Sequence, residues 1–177
     1  MKDIPQLFLE QSRHLLGEDY LPKIDRCLAR LSDEDVWWRP HETSNSIGNL
    51  LLHLRGNVGQ WIVGGVGQRE FERHRQREFD ERSPLSAREL LAQLKATLAE
   101  ADDVLGSLDT ESLLTHRHIQ HYDLTVLEAV YHVVEHFGMH TGQIILIAKM
   151  RTGADLKLWQ PPATVQPERT ITDGGGA

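Results

Sequence analysis

The sequence predicts an all-α protein folded as a four-helix bundle. Long segments repeat apolar residues at i, i+3, i+4 and i+7, the period of an amphipathic helix. Helix-start signals precede these segments, and alternating apolar and polar runs are scarce, so no β-hairpin is expected. A chain of 177 residues fits one domain with one core. We therefore expect a bundle over residues 1–153 and an extended tail over residues 154–177.

The first two helices are predicted from their apolar stripes. One runs from about Ile4 to Leu31, and Pro22 inside it should kink or split it. The next begins at one of the residues 44–46, which are good N-caps, and ends near Gly64 and Gly65. This second helix is apolar around most of its circumference, which predicts burial on several sides.

The second half of the chain carries the other two helices. Residues 67–83 are dense in both signs of charge and are interpreted as a solvated linker. The third helix begins at Ser86 with a capping box to Glu89, and the fourth begins near Asp123 or Thr125 and ends at Gly153. The proline- and glycine-containing tail that follows should be extended.

Composition excludes several classes of protein. With 19 basic and 26 acidic residues, the net charge of −7 argues against a nucleic-acid-binding protein. No apolar run approaches the roughly 20 residues that span a bilayer, so no membrane partner is expected. Cys27 is the single cysteine, which rules out an internal disulfide and a cysteine zinc cluster. Asp3 and Glu10 lie where a signal peptide would be apolar, so we expect a cytoplasmic protein.

A row of histidines on the fourth helix is the main functional signal. His132, His136 and His140 are spaced by four, so they share one face with Gln143. Imidazole nitrogen binds zinc, nickel and iron. The outer two histidines are about 12 Å apart along the axis, so one adjacent pair should chelate an ion while the third lies nearby.

The second helix carries a matching polar stripe. Asn49, His53, Asn57 and Gln60 fall on one side of an otherwise apolar helix. Buried polar groups need partners, so the stripe predicts the lining of a polar cavity with His53 as a third ligand. Three protein ligands leave coordination positions open, as in catalytic metal sites.

The same two segments resemble the DinB/YfiT-like superfamily. The similarity covers about residues 4–153 and lies in two stretches, Ser46-Ile-Gly-Asn-Leu-Leu-Leu-His53 and Val130-Tyr-His-Val-Val-Glu-His136-Phe-Gly-Met-His140-Thr-Gly-Gln143. The resemblance implies an up-down-down-up four-helix bundle that is often dimeric. It also implies a divalent metal, nickel or zinc, held by His53, His136 and His140, with His132 as an additional histidine one turn earlier.

The resemblance leaves the reaction open. The superfamily includes S-transferases that use low-molecular-weight thiols, maleylpyruvate isomerase, and many members assigned as hydrolases without a known reaction. We expect a metal-dependent hydrolase or thiol transferase that acts on an unidentified small molecule. His132 or Glu135 could serve as base only if it faces the cavity. The expected assembly is a homodimer, because the apolar second helix and the tryptophans suggest surplus apolar surface.

Two other functions fit parts of the pattern. His132–His136 reads H-x-x-E-H, a metalloprotease motif, but the motif needs a downstream carboxylate ligand and only a short acidic tail follows. The other alternative is a non-catalytic metal-stabilised binding or stress-response module. Its cavity would be small or blocked by Trp37, Trp38 or Trp159.

Overall fold

Helices form most of the chain in the computed structural model, which describes residues 3–82 and 85–158. They are α1 (Ile4–His14), α2 (Leu21–Leu28), α3 (Asp33–Trp37), α4 (Ile47–Val58), α5 (Arg75–Asp80), α6 (Ala87–Gly106) and α7 (Val126–Thr152). Two π-helical segments (Leu15–Tyr20 and Gly59–Val66), one 3-10 turn (Thr110–Leu114) and two short strands, β1 (His116–Ile119) and β2 (Tyr122–Thr125), complete the described part. The all-α class is confirmed, and the up-down-down-up order stays a prediction.

Capping boxes begin the three long helices that follow the first. Ser86 and Glu89 begin α6, and Thr125 and Glu128 begin α7, as predicted. In α4 the N-cap is Ser46, and Asn49 completes the box by accepting from the Ser46 backbone N–H. Each box satisfies backbone donors that the first turn leaves unpaired, so these starts are determined locally.

The first predicted helix continues past Pro22 but changes its winding. The π-helical segment Leu15–Tyr20 separates α1 from α2, and the Leu21 N–H bonds back to Leu16 O. Pro22 then lies in the first turn of α2, where its missing N–H costs least. The regular helix ends at Leu28 rather than at Leu31.

The core lies around α4, which packs against α6 and α7. Most of its residues are buried, as its apolar sequence predicts, including Ile47, Leu50 and Leu54. Phe137 and Ile144 of α7 meet this surface in the same core. The two faces that carry histidines are therefore held opposite each other by packing. None of the helices in the described ranges is long and apolar enough to span a bilayer.

Two expectations for the connecting segments are wrong. β1 and β2 form an antiparallel hairpin, with Ile119 paired to Tyr122, although no hairpin was expected. Its turn uses Gln120 in a left-handed conformation (φ 57°), so the usual Asn-Gly or Gly signal is missing. Burial of Ile119 against Gly65 stabilises it instead.

The segment predicted as a solvated linker packs on the bundle over its described part. It includes α5, and the Glu78 side chain is buried against α4. The predicted tail is seen only to residue 158, where Leu156 is buried and Arg26 donates to the Lys157 carbonyl. The rest of that tail, with Trp159, lies outside the described residues, so the domain boundary stays a prediction.

Candidate metal centre

Three histidines from two helices converge between α4 and α7. His53 of α4 meets His136 and His140 of α7, and one nitrogen from each lies within 4.8 Å of the others. The Nε2 atoms of His53 and His136 are 2.9 Å apart. The His140 ring is 5.0 Å from that of His53 and 4.4 Å from that of His136, centre to centre.

Burial keeps the imidazoles of α7 neutral. The pKa of His136 is lowered to about 3, chiefly by burial and further by the neighbouring histidines and Arg73. The pKa of His140 is also lowered by burial, although its hydrogen bond to Gln143 works in the opposite direction. Neutral imidazole is the form that binds metal, so His136 and His140 have the required protonation state near pH 7.

In two of these rings, Nδ1 is hydrogen-bonded to an oxygen acceptor. The Nδ1 of His53 lies 2.9 Å from Glu78 Oε2, and the Nδ1 of His140 lies 2.7 Å from Gln143 Oε1. Because a carboxylate and an amide carbonyl accept, each Nδ1 carries the proton and donates. The Nε2 lone pairs of both rings are then free for an ion, which is how ligating histidines are usually oriented.

Glu78 is itself held by a buried arginine. Arg73 donates through Nε and Nη2 to the two carboxylate oxygens, at 2.6 and 2.8 Å, and its Nη1 donates to Gln60 Oε1 at 2.9 Å. Their side chains are only 3% and 10% exposed. Burial raises the pKa of Glu78, but the hydrogen bonds from Arg73 and His53 outweigh it, so the pKa is lowered and the carboxylate is ionised. Gly56 makes room for it, since a Cβ there would overlap Glu78.

The donor set fits a divalent ion. Nitrogens on a tetrahedral zinc site are separated by about 3.3 Å, given Zn–N distances near 2.0–2.1 Å. The Nε2 atoms of His53 and His136 are closer than this, at 2.9 Å, and no two of the three ligand nitrogens are more than 4.8 Å apart. These distances bracket the value expected for zinc. Three imidazoles without a thiolate suit zinc or nickel. His53, His136 and His140 could therefore hold a metal ion.

A pocket of about 380 Å³ opens beside this group. His53 and His136 reach its wall, so an ion between them would face the pocket. The remaining wall comes from α4 and its π-helical extension, the segment before and within α5, the hairpin and α7: Asn57, Trp61, Arg73, Arg75, Gln120, Tyr122, Leu124 and His132. The volume suits a small molecule.

The other residues predicted for the cavity have divided roles. His132 packs on Trp61, with ring centres 4.2 Å apart, and lies on the pocket wall apart from the three converging histidines. Asn57 is buried, with Nδ2 3.4 Å from His132 Nε2, and its Oδ1 has no hydrogen-bond partner among the described residues. Gln60 accepts from Arg73 and from Gln120 at 2.9 and 2.5 Å.

Asn49 does not line the pocket. Its Oδ1 accepts from Ser46 and Arg39, and its Nδ2 donates to the Glu78 carbonyl at 2.8 Å. A helical projection places Asn49 on the same side of α4 as His53. Because Asn49 lies in the first turn of α4, however, its side chain forms part of the capping box. Its effect on the centre is indirect, since it fixes the backbone of the residue that supports His53.

Sequence reasoning missed Arg73, Glu78 and the hairpin side of the pocket. A run of mixed charge usually marks a solvated segment, so two buried members of it could not be separated from the rest. Two aromatic residues in that run, Phe71 and Phe79, were an available signal. The Phe79 ring lies 4.9 Å from the His53 ring, and Phe71 covers Gly59.

The metalloprotease interpretation is not supported. It requires both His132 and His136 on the ion, yet His132 lies outside the converging group and Glu135 is exposed. The three histidines that precede α7 in the sequence, His116, His118 and His121, do not line the pocket either. The hairpin contributes Gln120, Tyr122 and Leu124 to its wall instead.

Comparison with known proteins agrees with this architecture. The model of the family described as "Protein of unknown function (DUF1572)" matches residues 3–163. A conserved protein from Enterococcus faecalis superposes with a TM-score of 0.70 at 15% identity, covering 87% of this chain and 100% of the other. A DinB-like protein from Bacillus cereus superposes with a TM-score of 0.64 at 16% identity, covering 84% and 93%. A comparison with curated proteins finds no match.

Proposed function

Because this chain belongs to the DUF1572 family, within the DinB/YfiT-like superfamily, we propose that it is a metal-dependent enzyme acting on a small molecule. One observation carries the proposal. Three imidazoles converge beside an open pocket, two of them on its wall, and the Nδ1 atoms of His53 and His140 are hydrogen-bonded to oxygen acceptors. A purely structural metal site would be closed, whereas this one faces space for a substrate.

The metal is proposed to be zinc or nickel, bound by His53, His136 and His140. Such an ion supplies a Lewis acid that lowers the pKa of a water or a thiol, which serves hydrolysis and thiol transfer alike. Glu78 holds the Nδ1 proton of His53, and Arg73 keeps that carboxylate ionised and in place. These contacts fix the ring before a ligand arrives.

His132 is the proposed base. It lines the pocket, and its pKa is lowered by burial, opposed by the charge of Glu135, so its imidazole is neutral near pH 7. A neutral ring can accept a proton from a group in the pocket. Glu135, the other candidate from the sequence, is exposed and not part of the wall.

The pocket also bears on the non-catalytic alternative. That alternative predicted a cavity blocked by tryptophans. Trp37 instead packs on Gly48 and donates to the Leu85 carbonyl, and Trp38 stacks with Arg151, so both lie away from the pocket. A small-molecule substrate is therefore the proposed partner.

The test combines metal content with turnover. Elemental analysis of purified protein should give about one zinc or nickel per chain. Loaded protein is then screened with esters, amides and thiol–electrophile pairs, beside His136→Ala and His132→Gln. We expect His136→Ala to lose both metal and activity, and His132→Gln to lose activity alone. Full metal with no turnover on any substrate class would favour the binding module.

A homodimer is proposed from an exposed apolar row on α7. Tyr131, Met139, Leu146 and Met150 are 48–63% exposed, and their spacing places them on one side of the helix. Such a row favours burial against a second copy. Light scattering at micromolar concentration should give twice the 20.2 kDa chain mass.

Cytoplasmic location stays a prediction.

A further inference from the structure

The pocket beside the three histidines has a wall with positive charge. Two arginines and no carboxylate belong to its lining. Arg73 is neutralised by Glu78, but among the described residues no carboxylate lies within ion-pair distance of Arg75. One uncompensated positive charge, that of Arg75, therefore remains on the pocket wall in a chain with a net charge of −7. Such a field attracts anions and raises their rate of association.

Arg75 is held close to the histidine group. Its guanidinium carbon lies 5.0 Å from the centre of the Phe79 ring, in a cation–π contact. The Phe79 ring in turn lies 4.9 Å from the His53 ring. Phe79 therefore links the exposed Arg75 side chain to His53, and both residues belong to the wall of the same pocket.

Another part of the wall is aromatic and apolar. Trp61 is almost fully buried, and its ring lies 6.0 Å from that of Tyr122, which is 57% exposed. Leu124 continues this surface. Exposed aromatic rings of this kind pack against planar or apolar ligand groups. The lining thus combines a cationic residue with aromatic and apolar ones.

The wall also carries a buried acceptor. Asn57 lines the pocket, yet its Oδ1 has no hydrogen-bond partner among the described residues. A buried carbonyl without a hydrogen-bond partner destabilises the folded chain. A hydroxyl or amino substituent on a ligand would supply the missing donor.

We propose that this pocket selects a small organic carboxylate with an aromatic body, whose charge pairs with Arg75 and whose ring packs against Trp61 and Tyr122. The inference rests on the proposed function, because it concerns the same pocket. It adds a substrate class and a specificity-determining residue, Arg75.

The test uses three probes that separate charge from shape. Benzoate carries both features, benzamide keeps the ring without the charge, and acetate keeps the charge without the ring. Binding is measured by ligand-observed NMR titration on the full chain, both zinc-loaded and chelator-treated, with the metal content of each sample determined. We expect benzoate to bind at least five-fold more tightly than either other probe.

Variants then assign the contacts. Arg75→Gln should weaken benzoate about five-fold, the range of a partly exposed ion pair, and leave benzamide unchanged. Arg77→Gln on the same helix is the matched control, because Arg77 lines a neighbouring depression rather than this pocket. Tyr122→Ala should weaken benzoate and benzamide but not acetate.

The outcomes separate the two proposals. Equal binding of benzoate and benzamide, no binding of either, or equal effects of Arg75→Gln and Arg77→Gln would overturn the anion inference. Protein that holds metal but shows no anion preference contradicts this inference alone. Protein that holds no metal yet prefers benzoate through Arg75 contradicts the metal proposal alone.

Discussion

Two cavities of similar volume lie on different sides of the helices. One, of about 430 Å³, lies between α1 and α6, and the other, of about 380 Å³, lies beside the histidine group between α4 and α7. Both are lined by histidine and by an arginine that forms an ion pair with a carboxylate. In the α1–α6 cavity the pair is Arg13 with Asp102, whose side chains are 39% and 50% exposed. Beside the histidine group it is Arg73 with Glu78, 3% and 10% exposed.

The difference shows that volume does not identify a functional site. In the α1–α6 cavity His14 is exposed and no group of three ligands forms around it, within the residues that the structure describes. Beside α7 the same residue types are buried and aimed at one point. An exposed pair contributes about 0–1 kcal/mol, whereas a buried charge must be paired to be tolerated. The convergence of buried polar side chains is therefore a better indicator of a functional site than cavity volume.

The largest expected effect is the loss of metal from His136→Ala. Removing one of three imidazoles should reduce the metal content from about one ion per chain to near zero, measured by elemental analysis after gel filtration. His14→Ala, in the α1–α6 cavity, is the control and should keep its metal. Equal metal content in the two variants would contradict the assignment of the ligands, provided that circular dichroism shows both folded.

The two ion pairs should differ sharply in stability. Glu78→Ala leaves Arg73 buried without a partner, so the free energy of unfolding should fall by about 3 kcal/mol. Asp102→Ala breaks the exposed pair and should cost under about 1 kcal/mol. Urea unfolding of the metal-free proteins measures both. Similar costs for the two variants would show that the buried pair contributes no more to stability than the exposed pair.

The pH dependence of stability should also distinguish the cavities. The folded pKa of His136, about 3, lies below its ordinary 6.5, so the unfolded chain binds more protons between those values. Stability of the metal-free protein should therefore fall as pH decreases from about 6.5 towards 3, by on the order of 1 kcal/mol per pH unit. The lowered pKa of Asp102, caused mainly by Arg13, adds a loss only below about its ordinary 3.8.

Urea titrations at pH 7.5, 6.0 and 5.0 test this dependence. His136→Gln cannot take up the proton and should lose less stability than the wild type over that range. Asp102→Asn should follow the wild type. Parallel curves for wild type and His136→Gln would mean that His136 titrates normally in the folded chain.

The smallest expected effect is at Gln143. Its carbonyl supports His140 from an exposed position, whereas Glu78 supports His53 with a buried charge. Glu78→Gln should weaken zinc binding roughly 10- to 100-fold, and Gln143→Ala only a few-fold. Competition against a chromophoric chelator gives both affinities. A larger loss of zinc affinity in Gln143→Ala than in Glu78→Gln would show that Gln143 is the more important hydrogen-bond partner.

Local signals account for what could be predicted of the fold. The capping boxes at Ser86 and Thr125 and the apolar repeat of α4 act within a few residues, so they can be read directly from the sequence. The hairpin could not, because its turn lacks the usual residues and Ile119 is stabilised by contact with a distant helix. The change of winding before Pro22 likewise depends on how the first helix packs.

For the candidate centre, the sequence by itself determined the spacing of His132, His136 and His140 and the facing position of His53, because a helix fixes the direction of each side chain. Only the tertiary structure decided which of them meet: His132 turns to Trp61, while His136 and His140 turn to His53. The tertiary structure also decided that the side chains of Arg73 and Glu78 are buried. Gly56 leaves a space on α4 that the carboxylate fills, and whether a charged residue is buried depends on the surface it meets rather than on its neighbours in the chain.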